Sequence, residues 1–193
     1  MMDIRKFFFQ YRSFTPIPIA LMIVSFAGAN SSHRIAGIFL LLLGECIRIW
    51  AVSHAGGATR TREVGAPSLC TSGPYAQTRN PLYVGNMLMY VGIVLIAGMP
   101  NQLFAVTVTA VFFVVQYSLI VSLEEEALDK LFGKEYSDYK QNVPPIFPRL
   151  KPWEDGNNRK PTTLLQTLKT EKRTLQNVFL IVLFIFIRIN NPT

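Results

Sequence analysis

The feature that most constrains this chain is the length and spacing of its apolar stretches. Three of them, about residues 34–52, 82–98 and 103–123, come within a few residues of the roughly 20 that a helix needs to cross about 30 Å of hydrocarbon. A further run, from about Thr15 to Ala29, precedes them, and Pro16 and Pro18 suit its entrance rather than its middle. Arg5 and Lys6 before that run and Ala27-Gly28-Ala29 at its end resemble a cleavable leader. The chain behind it is itself membrane-like, so an uncleaved first span is the simpler reading. The expected fold class is all-α: a multi-span helical integral membrane protein with four transmembrane helices and a short fifth candidate. That fifth run is Val178 to Ile187, extended by Leu175 and Ile189. It fits a crossing with some bilayer thinning, a re-entrant segment or an interfacial one.

Composition agrees with this reading and narrows it. Half of the 193 residues are hydrophobic and only 16% are charged, against roughly 25% charged in an average soluble domain. A disordered chain would be richer in charge and poorer in apolar residues. The formal net charge of +7 would suit a nucleic-acid binder, but no such protein needs this much apolar sequence, so no nucleic-acid partner is expected. Cys46 and Cys70 cannot make a disulfide framework. His33 and His54 are isolated and show no metal-ligand spacing, so no metal is expected.

Charge also orients the bundle. With the N-terminus inside, the inner segments hold Arg5, Lys6, Arg12, Arg60, Arg62, Arg79 and all ten Lys and Arg from Lys130 to Arg173. The outer connections hold Arg34, plus Arg188 if the fifth run crosses. That asymmetry follows the positive-inside rule and places the N-terminus in the cytoplasm. Two polar blocks then face the cytoplasm. One is Ser53 to Pro81, rich in turn-forming Gly and Pro. The other starts at Glu124 as a continuation of the fourth span, is loosened at Gly133 and stops at Pro144-Pro145. Residues 1–150 therefore read as the membrane domain. Residues 151–193 read as a basic linker attracted to anionic lipid heads, followed by the C-terminal apolar run. The uncharged Met99-Pro100-Asn101-Gln102 is a tight turn between antiparallel spans.

Several local patterns carry chemical interest. Glu45 and Arg48, three apart in the second span, share a helix face and can neutralise each other, either as a structural pair or as the polar lining of a pocket. Tyr83, Asn86 and Tyr90 form a polar stripe on the third span, beside a stripe of Gly85, Met89 and Gly92 that permits close helix contact. On the fourth span, Tyr117, Ile120, Val121 and Glu124 share a face, which sets Glu124 at the cytoplasmic edge below Tyr117. Arg79-Asn80-Pro81-Leu82-Tyr83 opens the third span, with Pro81 in the first turn.

In order, Thr71-Ser72-Gly73-Pro74-Tyr75, Arg79-Asn80-Pro81-Leu82-Tyr83, Glu124-Glu125, Leu128, Phe132-Gly133, Tyr136, Tyr139 and Val143-Pro144 resemble the isoprenylcysteine carboxyl methyltransferase family and its phospholipid methyltransferase relatives. The resemblance covers about residues 59–150. It implies a multi-span membrane methyltransferase that uses S-adenosylmethionine in a cytoplasmic pocket. A lipophilic methyl acceptor would enter from the bilayer. Carried over position by position, it gives Pro67, Ser68, Leu69, Cys70, Tyr75, Asn80, Pro81, Leu82, Tyr83 and Glu124 as cofactor contacts. It names no catalytic side chain, because methyl transfer is a direct displacement that depends on alignment and exclusion of water.

There are two departures. The signature His is Asn80, which can form hydrogen bonds but cannot become cationic. The Arg that members acting on an isoprenylcysteine carboxylate carry four residues before the Glu is Ile120, which cannot hold a carboxylate. Other readings of the same sequence are a phospholipid or other lipid N-, O- or S-methyltransferase, an NADPH-dependent membrane reductase and a non-catalytic membrane adaptor.

Overall fold

A computed structural model describes residues 3–56 and 64–191. Arg60 and Arg62 of the expected inner loop lie outside the described residues. Seven α-helices follow in order: α1 (Ile4–Gln10), α2 (Ile17–Ser25), α3 (Arg34–Ala55), α4 (Pro81–Ala97), α5 (Gln102–Phe132), α6 (Lys134–Asn142) and α7 (Leu164–Asn190), with a 3₁₀ turn at Gly73–Ala76 before α4. No strand occurs among the described residues. Helices α3, α5 and α7 are long and apolar enough to cross a membrane, and α4 is a shorter apolar helix. At 1.5 Å per residue, the 17 residues of α4 reach about 25 Å.

The centre of the bundle is the crossing of α3 and α4. Gly37 meets Gly92 and Gly44 meets Gly85 so closely that a Cβ on Gly92 would lie 2.6 Å from the Gly37 carbonyl oxygen. A Cβ on Gly85 would lie 2.7 Å from the Gly44 oxygen. Lipid tails are as apolar as leucine, so helices in a bilayer gain by close backbone contact, which small residues allow. The expected small-residue stripe on the third span makes this contact. The turn between α4 and α5 is tight, as expected. Gly98 and Asn101 supply its left-handed positions, with φ of 62° and 52°.

The first apolar run folds differently from the single span expected of it. It yields only the nine residues of α2, about 14 Å of helix. Pro16 and Pro18 start α2, and Phe26 to Asn30 end it. The N-terminal segment still extends from one end of α5 to the far end of α4, but in two pieces. Arg5 at the start of α1 pairs with Glu126 of α5 at 3.1 Å. Phe9 packs into a cluster with Phe113, Tyr117, Ile120 and Leu123. Past α2, the amide of Gly28 donates to the Ala97 carbonyl at the end of α4 (2.8 Å).

The C-terminal region also differs. Residues 156–173 read as a linker with no core pattern, yet Leu164 to Asn190 is one 27-residue helix, capped by Thr163, whose side chain accepts from the Gln166 amide. Its apolar end seats Ile185 in a buried cluster with Ile23, Ile93 and Ala97. Its polar start carries Glu171, 1% exposed, against α3. The short apolar run is thus the second half of a helix long enough to cross.

Candidate functional site

The site begins at the amino end of α4. Pro81 occupies the first turn, where no N–H is needed. Arg79, just before it, is a clamp. Its guanidinium donates to Glu125 Oε1 at 2.7 Å from Nη2 and 3.0 Å from Nε. Nη1 donates to the carbonyls of Val143 and Lys140. The Arg79 amide donates to the Pro144 carbonyl (2.9 Å), and Asn80 Nδ2 donates to that of Pro145 (3.0 Å). One segment thus ties the start of α4 to α5 and to the end of α6. The glycine at position 133, with φ of 50°, allows the sharp change of direction between α5 and α6.

A second small core fixes the loop before α4. Leu69, Tyr136, Tyr139 and Val143 are buried together, with Trp153 against them. The Tyr139 hydroxyl donates to the Tyr75 carbonyl (2.7 Å). Burial pushes the Tyr139 phenol well above the usual tyrosine range, so it remains a neutral donor. Asn157 closes the loop from the other side: its side chain donates to the Leu69 carbonyl (2.7 Å) and its amide to Thr71 Oγ1 (2.7 Å). Nothing in the local sequence around Asn157 signals this contact, which joins residues 88 positions apart.

Between these elements lies a cavity of about 740 Å³, within the roughly 300–1,000 Å³ typical of small-molecule sites. Ser68, Leu69, Cys70, Tyr75, Asn80, Pro81, Leu82, Tyr83 and Glu124 all line it. Pro67 does not. It borders a separate, shallower depression with Phe132, Glu135 and Asn157. The Tyr83–Asn86–Tyr90 stripe and the Tyr117–Glu124 face meet across the cavity wall. The Tyr83 hydroxyl donates to Glu124 Oε2 (2.9 Å), and the Tyr83 and Tyr117 rings stack at 4.4 Å. Asn86 Nδ2 donates to the Tyr117 hydroxyl (2.9 Å). Ile120 shares the α5 face but is fully buried under Phe9 and does not reach the cavity lining.

Arg48 meets Asn86, three residues further along α4 than Tyr83. Spacing alone pairs it with Glu45, but that contact is only 3.9 Å. The stronger partners are Asn86 Oδ1 on α4, Glu171 on α7 (both 2.5 Å) and Thr174 (3.2 Å). Glu171 went unrecognised in the sequence because it sits in a run of basic and polar residues. Its spacing from the apolar half of α7 was the available signal. Arg48, Asn86, Glu171 and Thr174 all line the cavity. Among the described residues, no group of three or more His, Cys, Asp or Glu is gathered to hold a metal ion.

A family model described as phospholipid methyltransferase matches residues 32–135. The nickel-cobalt-cadmium resistance protein NccN of Alcaligenes xylosoxydans xylosoxydans is 33% identical over 103 residues, 53% of this chain and 44% of that one. The protein-S-isoprenylcysteine O-methyltransferase of Rattus norvegicus is 33% identical over 122 residues, 60% of this chain and 41% of that one. Its Arabidopsis thaliana counterpart B is 30% identical over 128 residues, 63% of this chain and 64% of that one. The chain spans less than half the length of the first two of these relatives. No solved structure matches the chain significantly. The family match runs from just before α3 into α6, more than half of the chain and most of the cavity wall, and so the chain belongs to the phospholipid methyltransferase family, with isoprenylcysteine methyltransferases among its relatives.

Proposed function

We propose that this chain is an S-adenosylmethionine-dependent membrane methyltransferase that acts on a lipophilic acceptor. The observation that carries the reading is the Tyr83–Glu124 hydrogen bond on the cavity wall, where the start of α4 meets the first acidic residue of α5. When bound, the cofactor supplies an electrophilic methyl group on a sulfonium sulfur.

The residues present fit such a group. Glu124 offers a carboxylate to a cationic centre, and Tyr83, already donating to it, holds that carboxylate in one orientation. The stacked rings of Tyr83 and Tyr117 offer aromatic faces to an adenine or a sulfonium. Ser68, Leu69, Cys70 and Tyr75 supply the loop side, braced on α6 by Tyr139. Asn80 is directed to the Pro145 carbonyl, so its part is to shape the entrance. Met89 and Ile93 of α4 and Val178 and Ile181 of α7 line the deeper, apolar part. They exclude water and accept the tail of a lipid arriving sideways from the bilayer.

By the positive-inside rule, the end of the bundle bearing Arg5, Arg79 and Glu124 faces the cytoplasm. The exposed Lys151 and Lys160 and the half-buried Arg149 then lie against anionic lipid heads.

The test is a calorimetric titration of the purified chain in phosphatidylcholine nanodiscs with S-adenosylmethionine, and separately with NADPH. Saturable binding of the first and none of the second is the expected outcome. The reverse result, or no binding of either, overturns the reading. Incubation of membranes with methyl-labelled cofactor, followed by mass analysis of labelled lipids and proteins, then identifies the acceptor.

A further inference from the structure

Arg48 is a guanidinium 7% exposed, inside a bundle that spans a membrane. It reaches from α3 to Asn86, about 4.5 Å deeper along α4 than Tyr83. A lipid acceptor whose tail filled the apolar part lined by Met89, Ile93, Val178 and Ile181 would bring its polar group past this layer. An intramembrane cation there would ordinarily attract an anionic head.

This cation is already neutralised. Glu171, 1% exposed, is held by Nη2, Thr174 shares that nitrogen, and Asn86 takes Nη1. Glu45 adds a second carboxylate 3.9 Å from Nε, and both of its oxygens are buried with no hydrogen-bond partner. Among the described residues, Glu171 balances the charge of Arg48.

Among the described residues, the other cations that line the cavity are Arg12, Arg79, Arg159 and Arg173. Arg79 is clamped by Glu125, and Arg159 donates to Ser68 Oγ (2.6 Å) in the loop. Arg12 donates to the Phe9 carbonyl in the segment between α1 and α2 (2.9 Å), where its charge acts on Glu124. Arg173 is exposed. A carboxylate entering the Arg48 layer would be desolvated beside Glu171 and Glu45, with Arg48 already paired.

Building on the methyltransferase reading, we infer that Glu171 is a specificity-determining residue. By capping Arg48 it turns carboxylate acceptors away and selects a lipophilic molecule whose accepting atom is an uncharged nitrogen, oxygen or sulfur. For such an acceptor, its bond to the methyl carbon forms as the carbon–sulfur bond breaks. The bonding pair stays on sulfur, and the acceptor's proton is released to water. Glu171 stands on α7, beyond the family-matched residues 32–135.

The test uses the full chain in phosphatidylcholine nanodiscs, methyl-labelled S-adenosylmethionine and N-acetyl-S-farnesylcysteine, a prenylated cysteine with a free carboxylate, as probe. Methyl ester formation is read as base-labile label. The unmodified protein is expected at background. Glu171→Gln, which keeps the shape and removes the charge, is expected to raise ester formation about tenfold or more by freeing Arg48 for the carboxylate. Adding Arg48→Gln to that variant returns it to background. Glu171→Asp, which retracts the carboxylate by one methylene and keeps its charge in the bundle, gives a smaller gain and serves where glutamine weakens the fold.

Ester formation by the unmodified protein equal to that of the variants overturns the inference. So does the absence of any gain in variants that titrate with cofactor as the unmodified protein does. Failure of the unmodified protein to bind cofactor at all is a different result, and overturns the methyltransferase reading instead.

Discussion

The hydroxyl of Tyr83 donates to Glu124 across 2.9 Å, joining the first turn of α4 to the point where α5 turns from apolar to acidic. The two residues are 41 positions apart. Arg79, just before α4, and Glu125, the residue after Glu124, bind each other at 2.7 Å. Two adjacent cross-links thus serve different ends: Arg79–Glu125 holds the helices together, and Tyr83–Glu124 faces the cavity.

Removing the carboxylate should therefore abolish cofactor binding while leaving the fold intact. Glu124→Ala is expected to lower affinity for S-adenosylmethionine by at least about 100-fold, as for the loss of a charge-assisted contact worth roughly 3 kcal/mol. Tyr83→Phe keeps the ring and loses only the donor, and should cost about tenfold. Isothermal titration of each variant in nanodiscs checks both, and unchanged affinity in Glu124→Ala removes that residue from the site.

The Arg79 clamp predicts the opposite pattern. Among the described residues, Arg79→Ala leaves Glu125 with only Lys140 at 3.9 Å, and it frees the carbonyls of Lys140 and Val143. The expected loss of stability is about 3 kcal/mol. Arg79→Lys restores the charge without the planar fork that reaches three acceptors, and should recover less than half of that loss. Thermal unfolding in detergent measures both. If Arg79→Ala unfolds at the temperature of the unmodified protein, the clamp carries no stability.

Glycine contacts at the two ends of the α3–α4 crossing should separate stability from binding. Gly92→Ala drives a Cβ against the Gly37 carbonyl, at the end of the crossing away from Arg48 and Glu124, and should lower stability by about 1–3 kcal/mol with cofactor affinity retained. Gly85→Ala places its Cβ 2.6 Å from Arg48 Cγ as well as against the Gly44 carbonyl. It should disturb the Arg48 layer in addition to lowering stability. Unfolding and cofactor titration, run on both variants, distinguish the two effects.

Orientation is open to direct chemistry. With Cys46 and Cys70 replaced by serine, a cysteine at Asn101 in the α4–α5 turn should react with a membrane-impermeant thiol reagent applied to intact cells. One at Lys151 should react only after the membrane is opened. The reverse pattern would invert the proposed topology.

Much of this architecture follows from sequence alone, because it depends on local periodicity. Apolar runs of spanning length specify α3, α4 and the apolar part of α5. The spacing of Tyr83, Asn86 and Tyr90, and of Tyr117 and Glu124, places each set on one helix face, since a helical period needs no tertiary information. The ordered motifs pointed to the family, and the family match supports that resemblance.

Other features depended on residues far apart in the chain. Arg48 has an acid three residues away, yet its shortest contacts are to Glu171, 123 positions distant, and to Asn86. Local spacing names which partners are within reach, but the packing of α7 against α3 decides which one is met. Residues 156–173 looked coreless because the face that buries Glu171 is polar, and a polar face becomes interior only when another helix covers it. The first apolar run could not show that α1 and α2 would span the bundle in two pieces, since that arrangement rests on Phe9 and Arg5 docking on α5. The sequence by itself determined a helical membrane protein and the faces on which its polar residues stand. The tertiary structure decided which of those faces meet, because hydrogen bonds and ion pairs between distant helices form only where close packing brings their side chains together.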